Sequence, residues 1–402
     1  MANNRIYYAI QQVSFGKNST GRTGTKTAAH GLQSVGITTT FNLEQVFELG
    51  QLAIYENIEG TPDIEVTMTK VLDGYIPLYC LATADQTNGP QLNKRCDSDT
   101  KTIVQLGIWD EAVEGVTGTP ETWCEMSGLY ISSVAYNFPV DDNFTEDITL
   151  VGNVKVWGSG QSTSSLACQT EYQPSGVDGA FGGNNDAPVG TGGIARRQNI
   201  VFATGTAAIA GGTAAEKALI SAQVEDADLS IMPEDIQGVG TSGFIDTAHV
   251  QSITASVDVA REELFELGRK IAYARPVTFP IEVSCDIEVT SSSGDLVNAV
   301  DACSGSAGIA NSCDAEAANL TDRTIRIATC EDLRVFLGNK NKLASVTYGG
   351  GDAGGGNATV TYSYTTFNDF TVLHWADQSD SGGSASGAEW WKARATYLET
   401  RS

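Results

Sequence analysis

Two stretches of this 402-residue chain, 218 positions apart, carry nearly the same text, and that duplication restricts the folds open to it. Gln33-Ser34 returns as Gln251-Ser252, and Phe47-Glu48-Leu49-Gly50 returns unchanged as Phe265-Glu266-Leu267-Gly268. Glu44, Tyr55 and Pro62 match Glu262, Tyr273 and Pro280 at the same spacing. Further along the offset widens. Gly74 falls on Gly294, Thr102-Ile103 on Thr324-Ile325, and Tyr136 with Phe144-Thr145 on Tyr362 with Phe370-Thr371. An offset that is constant in patterned segments and grows across Gly/Ser/Asp-rich ones describes one unit built twice with loops of unequal length. Loops absorb insertions because closure entropy rises only logarithmically with length. Two linked copies can fill two equivalent places in a ring.

A hydrophobic content of 41% is enough for two cores of ordinary size, and 43 Gly against 10 Pro, with abundant Thr, Ser and Val, suits a β-rich protein with long loops. The net charge of −25 sets the whole surface against nucleic acid and acidic membranes as tight partners. The opening Met-Ala-Asn-Asn-Arg-Ile-Tyr-Tyr lacks an export signal, and no run of apolar residues is long enough for a helical membrane span. Synthesis in a reducing cytoplasm is therefore expected, with the eight Cys as free structural thiols. Cys303 and Cys313, which bracket a Gly/Ser/Ala loop, could bridge if the compartment allowed it.

Period-two alternation predicts strands at 6–15, 32–41, 62–71, 102–109, 122–138 and 144–157. A second series is predicted near 249–259, 277–290, 322–337, 342–348, 357–366 and 369–376. Short helices are predicted at 74–83, with Pro77 in the first turn, and near 294–302. The Phe47–Gly50 segment reads as a helical turn stopped by Gly. The fold class is mainly β: two tandem sandwich or partly open barrel domains, each with one short α-helix. The domains are 1–157 and 223–376, joined by a Gly/Ser/Ala-rich connecting segment at 158–222 and followed by a C-terminal arm at 377–402. Within the connector, Ile200-Val201-Phe202 is apolar enough to pack on something, and Trp390-Trp391 should dock the arm.

Chemistry-bearing patterns are missing. His30, His249 and His374 are too scattered for a metal site, and His30 and His249 both sit just before the repeated Gln-Ser, where a strand-start role fits. The Gly16–Thr27 stretch lacks the Gly-Lys-Ser/Thr of a phosphate loop, and there is no GxSxG elbow or calcium loop. Asp110-Glu111 and Asp141-Asp142 read as solvated loop ends. No catalytic residue, metal or cofactor is expected.

The repeat unit resembles the phage tail tube protein fold. The likeness lies in element order: the strand before Glu-Leu-Gly, the strand Ile64 to Val71, a small helix, a long loop and a closing hairpin. It is clearest from Val134 to Thr145 with the strand Ile148 to Val151, and it recurs as Val360 to Trp375. The resemblance implies a major tail tube subunit, with rings stacked around a channel for double-stranded DNA. A duplicated domain implies three-membered, pseudo-six-fold rings. The partners implied are other copies of the chain, further tail proteins and passing DNA, with no membrane, in the virion tail. Glu65 and Glu282, on the polar faces of comparable strands, are the candidate lumen-facing acids. The loops at 84–101 and 303–321, with Asp85, Asn88, Lys94, Asp97, Asn311 and Asp314, are the candidate contacts between stacked rings. Other readings are a different tail ring component (terminator, adaptor or baseplate-proximal tube protein), a carbohydrate-binding or adhesion sandwich, and a polysaccharide-degrading enzyme. The last would need carboxylates converging across a cleft.

Overall fold

The structure, a computed structural model, describes residues 6, 8–17, 27–50, 52–83, 92, 99–109, 120–159, 194–197, 200–203, 248–291, 325–329, 333–338, 340–351 and 356–374. The strands of the first half are β1 (Gln11–Lys17), β2 (Thr27–Ala28), β3 (Leu32–Thr40), β4 (Leu43–Phe47), β5 (Ile54–Glu59) and β6 (Asp63–Val71). After the helix α1 (Leu78–Thr83) come β7 (Thr102–Ile108), β8 (Thr122–Pro139), β9 (Thr145–Gly152) and β10 (Val154–Ser159). The remaining strands are β11 (Ile200–Ala203), β12 (Ala248–Asp258), β13 (Glu282–Ser291), β14 (Arg326–Thr329), β15 (Leu333–Phe336), β16 (Lys342–Gly349), β17 (Thr359–Phe367) and β18 (Thr371–His374). The fold is mainly β; among the described residues every ladder is antiparallel and the sheets pack as a sandwich without closing into a barrel.

One side of the sandwich is a continuous run of eight strands, β3-β6-β9-β8-β12-β13-β17-β16. Alternation explains it. In β6, Ile64, Val66 and Met68 are buried while Glu65 and Thr67 are exposed, and β13 buries Val283, Cys285, Ile287 and Val289 on the same side. The opposite layer consists of β1-β7-β8-β10 in the first half and β11-β14-β15-β18 in the second. The 18-residue β8 serves both layers: residues before Leu129 pair with β7 and β10, and those after it with β9 and β12.

The two halves follow one wiring plan. β1, β3, β6, β7, β9 and β10 pair as β11, β12, β13, β14, β17 and β18 do, and β8 corresponds to β15 plus β16. The same irregularities recur. The ladder slips at Gln33 between β3 and β6 and at Gln251 between β12 and β13, so the repeated Gln-Ser marks a bulge. It slips again at Ser132 in β8 and at Ala344 in β16.

Several expectations need correcting against these pairings. Phe47–Gly50 is not a helical turn but the tip of the β4–β5 hairpin, with Gly50 at φ 92° and Gly268 at φ 89° in the matching segment. A Gly at positive φ reverses a chain equally well after a helix or between strands, so the sequence signal was ambiguous. Setting Tyr136 against Tyr362 also fails. β17 lies beside β13 as β9 lies beside β6, so Tyr362 corresponds to Ile148, and Tyr136 corresponds to Tyr348. Ile200-Val201-Phe202, placed in the connector, is a strand paired with β14. Gly158 and Ser159, also placed in the connector, complete β10, and Ala195 is buried with its N–H donating to the Leu72 carbonyl at 2.8 Å. Most of the remaining connector, the C-terminal arm with its Trp pair, the second helix at 294–302 and Cys303 with Cys313 lie outside the described residues.

The helix α1 is shorter than the 74–83 segment expected and is buried on all sides. Pro77 stands just before it, and its carbonyl accepts from the Leu81 N–H. A buried helix start needs acceptors for its free N–H groups. Glu146 on β9 supplies them, taking the Leu78 and Tyr79 N–H groups at 2.6 and 2.9 Å and the Tyr136 hydroxyl at 2.7 Å. Cys80, Cys124 and Cys285 are buried in the core and not joined in disulfides. Burial pushes the Cys124 thiol up to about 11.

Candidate functional site

The feature with the clearest chemical character is the outward face of the eight-stranded sheet. Alternation puts hydroxyls there strand after strand: Ser34, Thr38 and Thr40 on β3, Thr67 and Thr69 on β6, Thr145 and Thr149 on β9, and Ser252, Thr254 and Ser256 on β12. β17 adds Thr361, Ser363 and Thr365. These β-branched and hydroxyl side chains form a polar carpet over the apolar core.

Into this carpet are set carboxylates. Glu65 lies between Thr38 and Val151, and Glu282 lies beside Phe367; both expected residues are exposed on this one face. They are not counterparts, because the position matching Glu65 on β13 is Ser284. Asp63, Asp147, Asp258, Asp286 and Glu288 share the face and were not singled out from sequence. For three of them the signal was available, since Asp63 falls in phase with Glu65 on β6, and Asp286 and Glu288 with Glu282 on β13; Asp147 and Asp258 lie on β9 and β12. What was missing was the order in which the strands line up.

The cationic counterweight is small. On the face rows of the described strands the only ammonium is that of Lys342, at the β16 edge. Arg275 reaches Asp63 at 2.9 Å from the neighbouring hairpin and also grips Glu263 at 2.6 Å. Asp147 is held by the Thr69 hydroxyl at 2.6 Å and the Asn137 amide at 2.8 Å, and Glu288 accepts from Ser252 at 3.2 Å. Glu65, Asp147 and Asp258 line a depression of about 610 Å³ on the face, floored by Thr67, Ser133, Thr149 and Ser256. This lining offers hydrogen-bond acceptors and negative charge.

The expected contact residues Asp85, Asn88, Lys94, Asp97, Asn311 and Asp314 lie outside the described residues. Two projecting hairpins are prominent instead. Residues 41–62 expose Phe47 and Leu49 at their tip, and residues 259–281 expose Phe265 and Leu267 in the matching positions. Of the histidines, His30 stacks on Tyr75 with ring centroids 4.3 Å apart, beside the buried Lys70. Burial, with Lys70 adding to it, lowers its pKa to about 4. Among the described residues no group of three or more His, Cys, Asp or Glu is placed to hold a metal, and no helix is long and apolar enough to cross a membrane.

No protein-family model and no curated protein matches the chain. Several solved structures do at low identity. An anti-feeding prophage baseplate structure is similar at 13% identity and a TM-score of 0.30, over 40% of this chain and 98% of the other. The sheath-tube complex of an extracellular contractile injection system is similar at 16% identity and a TM-score of 0.28, over 40% of this chain and 95% of the other. An Hcp protein is similar at 11% identity and a TM-score of 0.21, over 37% of this chain and 98% of the other.

Proposed function

We propose that the chain is a structural subunit of a phage tail tube, carrying the tube domain twice and assembling, three chains to a ring, into stacked rings around a channel for double-stranded DNA. One observation carries this reading: two identically wired four-strand blocks already meet edge to edge in one sheet, through β8 and β12, and among the described residues the outer edges β3 and β16 have no strand beside them. A sheet of this length with unpaired borders is an aggregation hazard unless it closes on further copies.

The polar face then serves as the channel wall. B-DNA carries one charge per ~1.7 Å of axis, and a basic wall would hold it through counterion release. Glu65, Glu282 and their five acidic neighbours make the wall repulsive instead. Screening confines that repulsion to ~8 Å at physiological salt, so the wall lubricates passage without guiding from a distance. Contacts between rings are assigned to the loops at 84–101 and 303–321 and to the Phe-Leu tips of the two hairpins. Deleting 86–98 should then leave rings that do not lengthen.

Negative-stain imaging of the purified protein tests the proposal. Hollow rods or short rings with a central bore are expected. Particles lacking any bore at every concentration would refute it, and sugar binding by such particles would favour the adhesion reading.

A further inference from the structure

Among the described residues the eight-stranded sheet contains one completed junction between its halves and two outer edges with no further strand paired to them. At the junction β8 and β12 run antiparallel, with Val134 opposite Val257, Ala135 opposite Ser256 and Tyr136 opposite Ala255. The Val259 N–H donates to the carbonyl of the bulge residue Ser132 at 2.6 Å. The seam is sealed on its apolar side, where Tyr136 is 0% and Val259 3% exposed.

By wiring, β3 occupies in the first half the place of β12, and β16 occupies in the second half the place of the later part of β8. The local sequence agrees, since Ser345-Val346-Thr347-Tyr348 matches Ser133-Val134-Ala135-Tyr136 and each follows its bulge. Among the described residues neither β3 nor β16 has a strand on its outer side. Their apolar positions are correspondingly bare. Tyr348, matching Tyr136, is 51% exposed, and Phe41, matching Val259, is 70% exposed. Val35, Ile37 and Val346 are only partly covered.

We propose that β16 of one chain pairs antiparallel with β3 of a second copy in the register of the internal junction. Tyr348 of the first copy then faces Ile37 of the second, Thr347 faces Thr38, and Val346 faces Thr39. The Phe41 N–H of the second copy donates to the Ala344 carbonyl of the first. The proposal rests on the tube reading and specifies its contact. Register is set wherever one face is buried, because a slip of one residue would turn Tyr348 and Val346 out to the polar side. The two edges are different surfaces, so the contact is head-to-tail and propagates until the rotation closes it. The exposed 41–62 hairpin would lean on the second half of its neighbour, as the 259–281 hairpin leans on the first half through Arg261 and Arg275.

Paired cysteines test the register. Thr38 and Thr347 face outward, and directly opposed residues of an antiparallel pair bring their Cβ atoms within disulfide reach. Under mild oxidation, T38C/T347C should give a ladder of covalent multimers. Wild type, each single variant, and S34C/T347C, displaced by four residues, should not. Tyr348→Lys, at a site half-exposed in the isolated chain, should fold with an unchanged circular dichroism spectrum and sediment as a monomer. Rings seen in the microscope without the T38C/T347C ladder would overturn this pairing while leaving the tube reading intact. A ladder from open filaments without a bore would support the pairing and sink the tube reading.

Discussion

Glu146 is the side chain on which the first half's core turns. Its carboxylate is buried, and burial raises its pKa, opposed by the Tyr79, Tyr136 and Leu78 donors and by Lys70. Glu146→Ala strips those three donors of their acceptor inside the core and should cost ~3 kcal/mol in chemical denaturation. Glu146→Gln keeps one acceptor oxygen and should cost about half as much. His30 gives a pH signature. Its folded pKa, about 4, lies below the ordinary 6.5, so the unfolded chain takes up the proton first. That contribution to stability is whole above pH 6.5 and is lost as pH falls toward 4, amounting to ~2 kcal/mol. Denaturation midpoints measured at pH 7 and pH 4.5 should converge in His30→Gln relative to wild type. Neither role was legible from sequence. Sequence places His30 only at a strand start and carries no sign of the donors that meet Glu146. Both depend on which distant atoms surround them.

Strands were the most legible elements, because period two is local: the phase that buries Ile64, Val66 and Met68 is written in β6 itself. Reversals were legible as positions but not as types, as the Phe47–Gly50 hairpin tip shows. The 259–281 hairpin illustrates what only packing supplies. Arg261 donates to the Ile131 carbonyl at 2.6 Å and the Arg275 carbonyl at 2.9 Å, and its guanidinium lies 4.9 Å from the Tyr130 ring centroid. Desolvation lowers it to about 10, which leaves it charged at neutral pH. Arg261→Lys keeps the charge but not the planar fork, and it should loosen the hairpin from the first half at ~2 kcal/mol. Faster proteolytic cleavage between 262 and 274, with the core strands still protected from hydrogen exchange, would register the loss.

For the molecule as a whole, charge and closure make separable predictions. If the acidic sheet face keeps DNA from adhering, replacing Glu65, Asp258, Glu282 and Glu288 together by Lys should leave assembly intact. DNA retention by the assembled particles, measured by cosedimentation at low salt, should rise at least tenfold and fall steeply with added salt. Unchanged retention would mean that this face is not the one DNA meets. Composition and alternation were enough to establish a β-rich, acidic chain, and the repeated Gln-Ser and Phe-Glu-Leu-Gly segments to suggest a duplication, because each is a property of neighbouring residues or of simple counting. The order of strands, the join of β8 to β12, the match of Tyr136 to Tyr348 and the gathering of seven carboxylates on one face belong to the fold. Alternation tells a strand which side to bury and nothing about which strand will lie beside it.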